Sequence, residues 1–419
     1  MTAAPPTPPP PRLAGSAWLV RPQTQAVFAA LASQGFAARA VGGAVRNALL
    51  GLPVTDIDIA TPAKPQEVMA AARAAGLHAV PTGIDHGTVT VLADHVPHEV
   101  TTLRRDVETH GRHATVAFTD DWEEDARRRD FTINALYCSA QGEVFDPLGA
   151  YADLAAHRIR FIGDAGQRIR EDYLRILRFF RFNAEYAKGQ PDAEGLGACV
   201  AEREGLARLS AERVRQEMLR LLMAPRGPEL VRAMQDYGVL AYVLPAAPHP
   251  ELLARLAAIE AGLGRGADAM LRLAALAVEI AEDADRLRER LRLSNDEHAR
   301  LGLAATPMPD LDPAAPGRLA RACLYAEGEA AYRGRVLIAW ARSGAPPASA
   351  AWRERLALPE RWAAPRFPLG GADVMALGVP AGPRIGEVLR ALEAWWIAGD
   401  FAADEAALRA RLHQVVGCT

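Results

Sequence analysis

With 419 residues, 50% of them hydrophobic, the chain is too long for one compact core and has apolar material for two to four. A formal net charge of -3 excludes global basicity as a way of holding a polyanion, so such a role requires a local basic patch. No apolar stretch is long enough to cross a bilayer, which sets membrane functions aside. The opening MTAAPPTPPPP lacks the basic and apolar regions of a signal peptide and predicts a disordered Pro-rich leader, assigned to residues 1–20. Cys138, Cys199, Cys323 and Cys418 are far apart, without CxxC or zinc spacing, as in a reduced cytoplasmic protein.

In chain order, the pattern predicts an amphipathic helix over 23–34 and strands over 36–41, 56–60, 88–93 and 98–103. A helix over 64–75 lies between them, so this part is an α+β module. The span 104–130 shows little hydrophobic period until DDWEEDARRR, a helix that closes on RRRDFTINALYC. ALYCSAQGEVFDP then predicts a hairpin turning at Gln141 and Gly142. Beyond about residue 165 the texture changes to Leu, Ala and Arg-rich helical periods broken at Pro225, Pro228 and Pro245. The domains expected are the α+β module over 21–163, a helical segment over 164–245, and a further helical region over 246–419.

VGGAVRNALLGLPVTDIDIAT, residues 41–61, carries the most chemistry. Alternate side chains of a strand share a face, so Asp56 and Asp58 project together while Ile57 and Ile59 pack behind. Two such carboxylates can seat Mg²⁺, which prefers oxygen ligands and commonly bridges carboxylates to substrate phosphates. Gly42 and Gly43 allow close backbone approach to a triphosphate, and Arg46 supplies charge one turn later. The plain alternative is a surface strand with two solvated aspartates, which the preceding glycines and arginine disfavour. Glu99, on the apolar and Thr-rich run HEVTTLR, is the candidate third carboxylate, with an exposed edge-strand glutamate as its equal alternative.

In RRRDFTINA, at most two of Arg127, Arg128 and Arg129 can address one ligand from a helix. Asp130 can orient an arginine or accept from a ribose hydroxyl, and Asn134 follows. IREDYLRILRFFRF, residues 169–182, reads as one helix with Asp172, Arg175 and Arg178 on a shared face and Leu174, Leu177 and Phe180 on the apolar one. Cytosine and adenine both present an exocyclic amine beside a ring-nitrogen acceptor, whereas uracil and guanine present a carbonyl beside a ring N–H. An aspartate acceptor next to an arginine donor would select C and A. A salt-bridged helix surface is the competing reading of the same spacing. Seven arginines between 158 and 181 face only Asp164, Glu171 and Asp172, an excess suited to triphosphate or RNA backbone. LSAERVRQEMLRLLMAP starts a helix with Ser210 as N-cap and reads as a bundle helix first, an RNA contact second.

Taken together, VGGAVRNALLG with DID, HGTVTV, EVTTLRRD, RRDFTINALYC, DPLGAYADL and REDYLRILRFFRF resemble, in order, the class II tRNA nucleotidyltransferase and bacterial poly(A) polymerase superfamily, specifically the bacterial CCA-adding enzymes. The resemblance covers residues 41 to about 245, and PLGGADVMALGVPAGPRIGEVLRAL is similar to the family's tail. It implies an α+β nucleotidyltransferase head with a mainly antiparallel or mixed sheet, followed by all-α neck, body and tail. It further implies CCA addition to the tRNA 3′ end from CTP and ATP, with metals on Asp56 and Asp58 and Glu99 assisting. Gly42, Gly43 and Arg46 would hold the triphosphate, Arg128, Arg129 and Asp130 the ribose side. Asp172 and Arg175 would pair with the base, supported by Glu171 and Arg178. The span 104–118, with Arg104, Asp106 and Gly111, matches the family's flexible loop that switches between C and A. Asn47 stands where an aspartate is usual, Ala150 replaces the second glycine of DPxGG, and there is no HD dipeptide of a phosphohydrolase appendage. Poly(A) polymerase, an A-only adding enzyme and a non-catalytic RNA-binding protein are the alternatives; the first lacks its GRRF-like basic segment here, and the last has no need of paired carboxylates.

Overall fold

The computed structural model describes residues 9–110, 113–306 and 308–417. They fall into two compact units, Met1–Val243 and Leu244–Thr419.

In the first unit the chain is anchored from Leu13 onward. The Leu13 N–H donates to the Gly142 carbonyl at 2.8 Å, and Leu13, Trp18 and Leu19 are buried. The Pro-rich leader expected over 1–20 therefore ends before Leu13, and its first eight residues lie outside the described ones. Helix α1 (Pro22–Ser33) starts with proline in its first turn, where no amide is needed, and buries Val27, Phe28 and Leu31.

A seven-stranded mixed sheet follows, built from β1 (Arg39–Val41), β2 (Asp58–Thr61), β3 (His78–Gly83), β4 (Thr88–Ala93), β5 (Val96–Thr102), β8 (Tyr137–Ser139) and β9 (Val144–Phe145). Their spatial order is β3-β4-β5-β2-β1-β8-β9, with β2 and β5 parallel and the other neighbours antiparallel. β4 shows why these residues make a strand: Val89, Val91 and Ala93 are buried at every second position. The predicted hairpin forms between β8 and β9, with Gly142 at φ +81°. A Cβ on Gly142 would lie 2.2 Å from the Ala14 amide nitrogen, so the turn needs glycine for close approach.

The span 104–118, expected as a loop, is a separate two-stranded antiparallel hairpin, β6 (Arg104–His110) and β7 (His113–Phe118). Gly111 lies outside the described residues. Helices α2 (Gly43–Leu49) and α3 (Pro65–Ala74) connect the early strands, and α4 (Trp122–Arg127) precedes β8. After the sheet come α5 (Tyr151–Ala155), α6 (Ala165–Glu171), α7 (Leu174–Tyr186), α8 (Ala193–Ala201), α9 (Ala211–Met223) and α10 (Gly227–Asp236). Ala150 takes ordinary helical angles, φ -71° and ψ -21°, and its N–H donates to Asp146 at 2.7 Å. The second glycine of the family pattern is not needed for this geometry, because Gly149 takes the left-handed position at φ +68°.

The segment 169–182 is not one helix. Asp172, at φ -155° and ψ 104°, is extended between α6 and α7. The ring of Tyr173 lies over Gly205, where a Cβ would come within 1.9 Å of a ring carbon. This wedge fixes the break, and no local pattern announces it.

The second unit is helical: α11 (Pro250–Gly262), α12 (Ala269–Ala277), α13 (Ala281–Leu291), α14 (Asn295–Ala305), α15 (Gly317–Ser343), α16 (Ala350–Leu356), α17 (Leu358–Arg361), α18 (Gly371–Met375), α19 (Pro383–Ala398) and α20 (Glu405–Gly417). α15 is kinked at Gly328, at φ +79° and ψ 169°. Near the C-terminal end of the unit, Leu369, Val374, Val388, Leu392, Trp396, Leu408 and Leu412 form one apolar cluster.

Candidate active site

The site begins where β1 turns into α2. Gly42 adopts φ +68° and ψ -123°, a backbone conformation cheap only for glycine, and this turns Gly43 and Ala44 toward a cleft of about 610 Å³. Such a volume suits a nucleotide-sized ligand. Asp58 opens β2, directly opposite Val41 of β1. Asp56 lies just before the strand, so β2 is shorter than the predicted 56–60, but the alternation holds. Ile57 and Ile59 are buried, while Asp56 and Asp58 line the cleft. Burial pushes the Asp58 carboxyl up to about 6, Glu99 and Asp56 act in the same direction, and Arg129 opposes them. Ionised Asp58 thus sits among like charges, an arrangement that a divalent cation relieves.

Glu99, the candidate third carboxylate, lies beside this pair and adds to the charge around Asp58. It is the register partner of Asp58 across the parallel β2–β5 pair, but it is exposed and absent from the cleft wall. The buried acid expected from its apolar neighbours is not found, since β5 turns His98 and Val100 inward and Glu99 outward. Among the described residues no three His, Cys, Asp or Glu side chains are grouped closely enough to hold a metal. A cation on Asp56 and Asp58 would draw further ligands from water and phosphate, as Mg²⁺ usually does.

Arginines line the same cleft. Arg46 is 7% exposed, and each of its bonds ends on a neutral acceptor. Nη1 donates to Asn134 Oδ1 at 2.6 Å, Nη2 to Tyr186 at 2.9 Å, and Nε and Nη2 to Asn47 Oδ1 at 3.1 and 2.9 Å. Asn47 also donates to the Pro53 carbonyl at 2.9 Å, which an aspartate could not do. Arg46 thus meets the cleft without a salt bridge among the described residues; burial lowers its pKa, with Tyr186, Glu185 and Asp130 acting the other way.

Of the three successive arginines, Arg129 alone lines the cleft. Arg127 faces solvent and pairs with Glu123, whereas Arg128 and Arg129 both bind Asp125, at 2.7 and 2.9 Å. Asp125 is 1% exposed and also accepts from Tyr137 at 2.8 Å. Burial alone would raise its pKa, but Arg129 and Arg128 hold it down at about 2. Sequence reasoning missed this residue because DDWEEDARRR looks like a solvated charge run.

Asp130 lines the cleft with its acceptor capacity spent. Oδ1 accepts from the Phe131 amide at 2.9 Å and from Asn134 at 3.0 Å, and Oδ2 accepts Arg178 Nε at 2.7 Å and Nη2 at 2.6 Å. It orients an arginine and leaves little capacity for a ribose hydroxyl. Its carboxyl is held at about 2 against the opposing effect of burial, chiefly by Arg178.

The predicted base-reading face is assembled differently from one helix surface. Arg175 is on α7, one turn before Arg178, and its Nη1 donates to Glu171 at 2.6 Å and to the Arg168 carbonyl. Asp172 is off the helix and bound by Arg213 of α9, Nη1 to Oδ1 at 3.1 Å and Nη2 to Oδ2 at 2.6 Å. Neither Asp172 nor Arg175 lines the cleft, whereas Arg178, Arg181, Phe182, Glu185 and Tyr186 do. α9 contributes a charged face spaced i, i+4, i+7. Arg213 holds Asp172, buried Glu217 takes Arg181 at 2.6 Å and Arg178 at 3.6 Å, and Arg220 lines the cleft. That Arg-Glu-Arg spacing was the available signal for these three residues.

A nucleotidyltransferase head of the poly(A) polymerase type is the class that this sheet, glycine turn and carboxylate pair define. The model of the poly(A) polymerase head domain matches residues 38–160, and that of the probable RNA and SrmB-binding site of polymerase A matches 192–249. The chain is 35% identical over 371 residues to mouse CCA tRNA nucleotidyltransferase 1, mitochondrial, covering 85% of this chain and 82% of that protein. It is 34% identical over 372 residues to the CCA-adding enzyme of Geobacillus stearothermophilus, covering 86% and 89%. The crystal structure of the Bacillus stearothermophilus CCA-adding enzyme in complex with CTP superposes with a TM-score of 0.73 at 29% identity, over 95% of this chain and 99% of the other. The chain belongs to the family of CCA tRNA nucleotidyltransferases.

Proposed function

We propose that this protein adds CCA to the 3′ end of tRNA, taking CTP and ATP without a template and releasing pyrophosphate. The observation that carries the reading is the one cleft lined by Asp56 and Asp58 together with Arg46, Arg129 and Arg178. Two carboxylates and the raised pKa of Asp58 suit Mg²⁺ on that pair. When bound, such an ion promotes attack by the primer's 3′-hydroxyl and offsets charge on the leaving pyrophosphate. The new bond joins the 3′ oxygen to the α-phosphorus as the bridge to the β-phosphate breaks.

The chain's own residues bind and orient. Gly42 and Gly43 bring backbone to the triphosphate, and Arg46 offers it a charge that is hydrogen-bonded to neutral acceptors and not tied up in a salt bridge among the described residues. Arg129, fixed by Asp125, addresses the ribose side, with Arg128 as its neighbour on the same anchor. Asp130 holds Arg178, and Asp172 with Arg175 reads the base edge, supported by Glu171. The mostly helical remainder would carry the tRNA. A reduced, cytoplasmic setting is supported by free Cys138, Cys199 and Cys323, and no helix among the described residues is long and apolar enough to cross a membrane.

The test is incorporation into a tRNA that ends before its CCA, with each ribonucleoside triphosphate supplied singly and in pairs. Entry of CTP and ATP with exclusion of UTP and GTP supports the reading; indifferent entry of all four contradicts it.

A further inference from the structure

We propose that Arg213 is a specificity-determining positioning residue that fixes the acceptor geometry of Asp172; the inference rests on the base-reading role given above to Asp172 and Arg175. Asp172 is the one member of the reading pair that no helix supports, since α6 ends before it and α7 starts after Tyr173. A short polar side chain in such a connector would ordinarily sample several rotamers. Besides the Leu174 amide bond to Oδ1, two contacts prevent this. Tyr173 is wedged on Gly205, and the guanidinium of Arg213 forks onto both carboxylate oxygens of Asp172.

The fork determines which lone pairs remain. A carboxylate offers about four acceptor sites. Oδ1 uses two, for the Leu174 amide at 3.2 Å and Arg213 Nη1 at 3.1 Å, and Oδ2 uses one, for Arg213 Nη2 at 2.6 Å. One acceptor position is left, on Oδ2. Arg175 has Nη1 committed to Glu171 and the Arg168 carbonyl, which leaves Nε and Nη2 undirected among the described residues. One acceptor beside one donor edge is the complement of an amine next to a ring nitrogen, the feature shared by cytosine and adenine. Without Arg213 the carboxylate is held by the Leu174 amide on Oδ1 alone, so it can turn about that bond and present more acceptor positions, and a base that offers a ring N–H can also find one. Bidentate planar docking requires arginine, since a lysine can neutralise Asp172 but cannot hold both oxygens in one plane.

The experiment compares wild type, Arg213→Gln and Arg213→Lys, measuring kcat and KM for CTP, ATP, UTP and GTP on a tRNA lacking its CCA, with the melting temperature of each protein. In a folded Arg213→Gln protein the ratio of kcat/KM for CTP over UTP, and for ATP over GTP, falls tenfold or more, with part of it restored in Arg213→Lys. Unchanged ratios in folded variants overturn the inference, whether activity is intact or reduced equally for all four nucleotides, because an equal loss marks a purely structural contact. If Arg213→Gln does not fold, Arg213→Lys decides: a reduced ratio supports the role and a wild-type ratio overturns it. A wild-type enzyme that does not discriminate among the four contradicts the base-reading assignment itself, so that failure is distinct from one in which only Arg213 proves irrelevant.

Discussion

Asp130 and Arg178, 48 residues apart, are joined by two converging contacts, Nε and Nη2 of the guanidinium to one carboxylate oxygen at 2.7 and 2.6 Å. The pair ties the segment after α4 to the helix that carries Arg175. Through Asn134 it continues to Arg46 and the glycine turn. Replacing Asp130 with Ala leaves Arg178, among the described residues, with Glu217 at 3.6 Å as its ion-pair partner and the Phe182 ring beneath it. Removing one partner of a mostly buried pair typically costs about 3 kcal/mol, and we expect a shift of that order in chemical denaturation, together with weaker nucleotide binding. A denaturation midpoint equal to wild type contradicts this.

Acid sensitivity follows from the same residues. Asp125 and Asp130 are held at about 2, below the ordinary carboxylate value of 3.8. A depressed folded-state pKa adds stability that is present above the unfolded value and lost as pH falls through the folded one. The window is therefore about pH 4 down to about pH 2, and Asp125→Asn should flatten the stability curve there. Parallel curves for wild type and variant across that range would count against the Arg128–Asp125–Arg129 arrangement.

Asp58 has the opposite sign. Its folded pKa of about 6 lies above the unfolded value, so metal-free protein loses stability as pH rises from about 4 to about 6. Asp58→Asn should raise the stability of metal-free protein above pH 6 by roughly 1–2 kcal/mol while abolishing nucleotide incorporation. Asp56→Ala should abolish incorporation with tRNA affinity nearly intact. Full activity in both variants refutes the carboxylate site.

Gly205 tests the helix break. A methyl group there meets the Tyr173 ring at 1.9 Å, and overpacking of this kind typically costs about 1–3 kcal/mol. Gly205→Ala should lower the melting temperature and the selectivity for C and A together, because Tyr173 is adjacent to Asp172. Combining it with Tyr173→Ala should recover part of the stability.

Much of the head was legible because local patterns and tertiary structure agree there. Ile57 and Ile59 alternate with Asp56 and Asp58, and the glycine turn before Arg46 is demanded by φ +68° at Gly42. The rest depended on partners distant in sequence. The period of Leu174, Leu177 and Phe180 gave no warning that α7 stops short of Asp172, since the cause is the contact of Tyr173 with Gly205, thirty-two residues further on. Asp125 is indistinguishable from its acidic neighbours until Arg128, Arg129 and Tyr137 close around it. Glu99 is exposed where its apolar neighbours suggested burial, because such neighbours along a strand say which positions alternate, not which face is covered.

The most direct measurement is product length at single-nucleotide resolution on a tRNA ending before CCA, with Mg²⁺. The account predicts two added residues with CTP alone, three with CTP and ATP together, and then a stop. Long A tails, or no extension by a protein that still binds the tRNA, would contradict it.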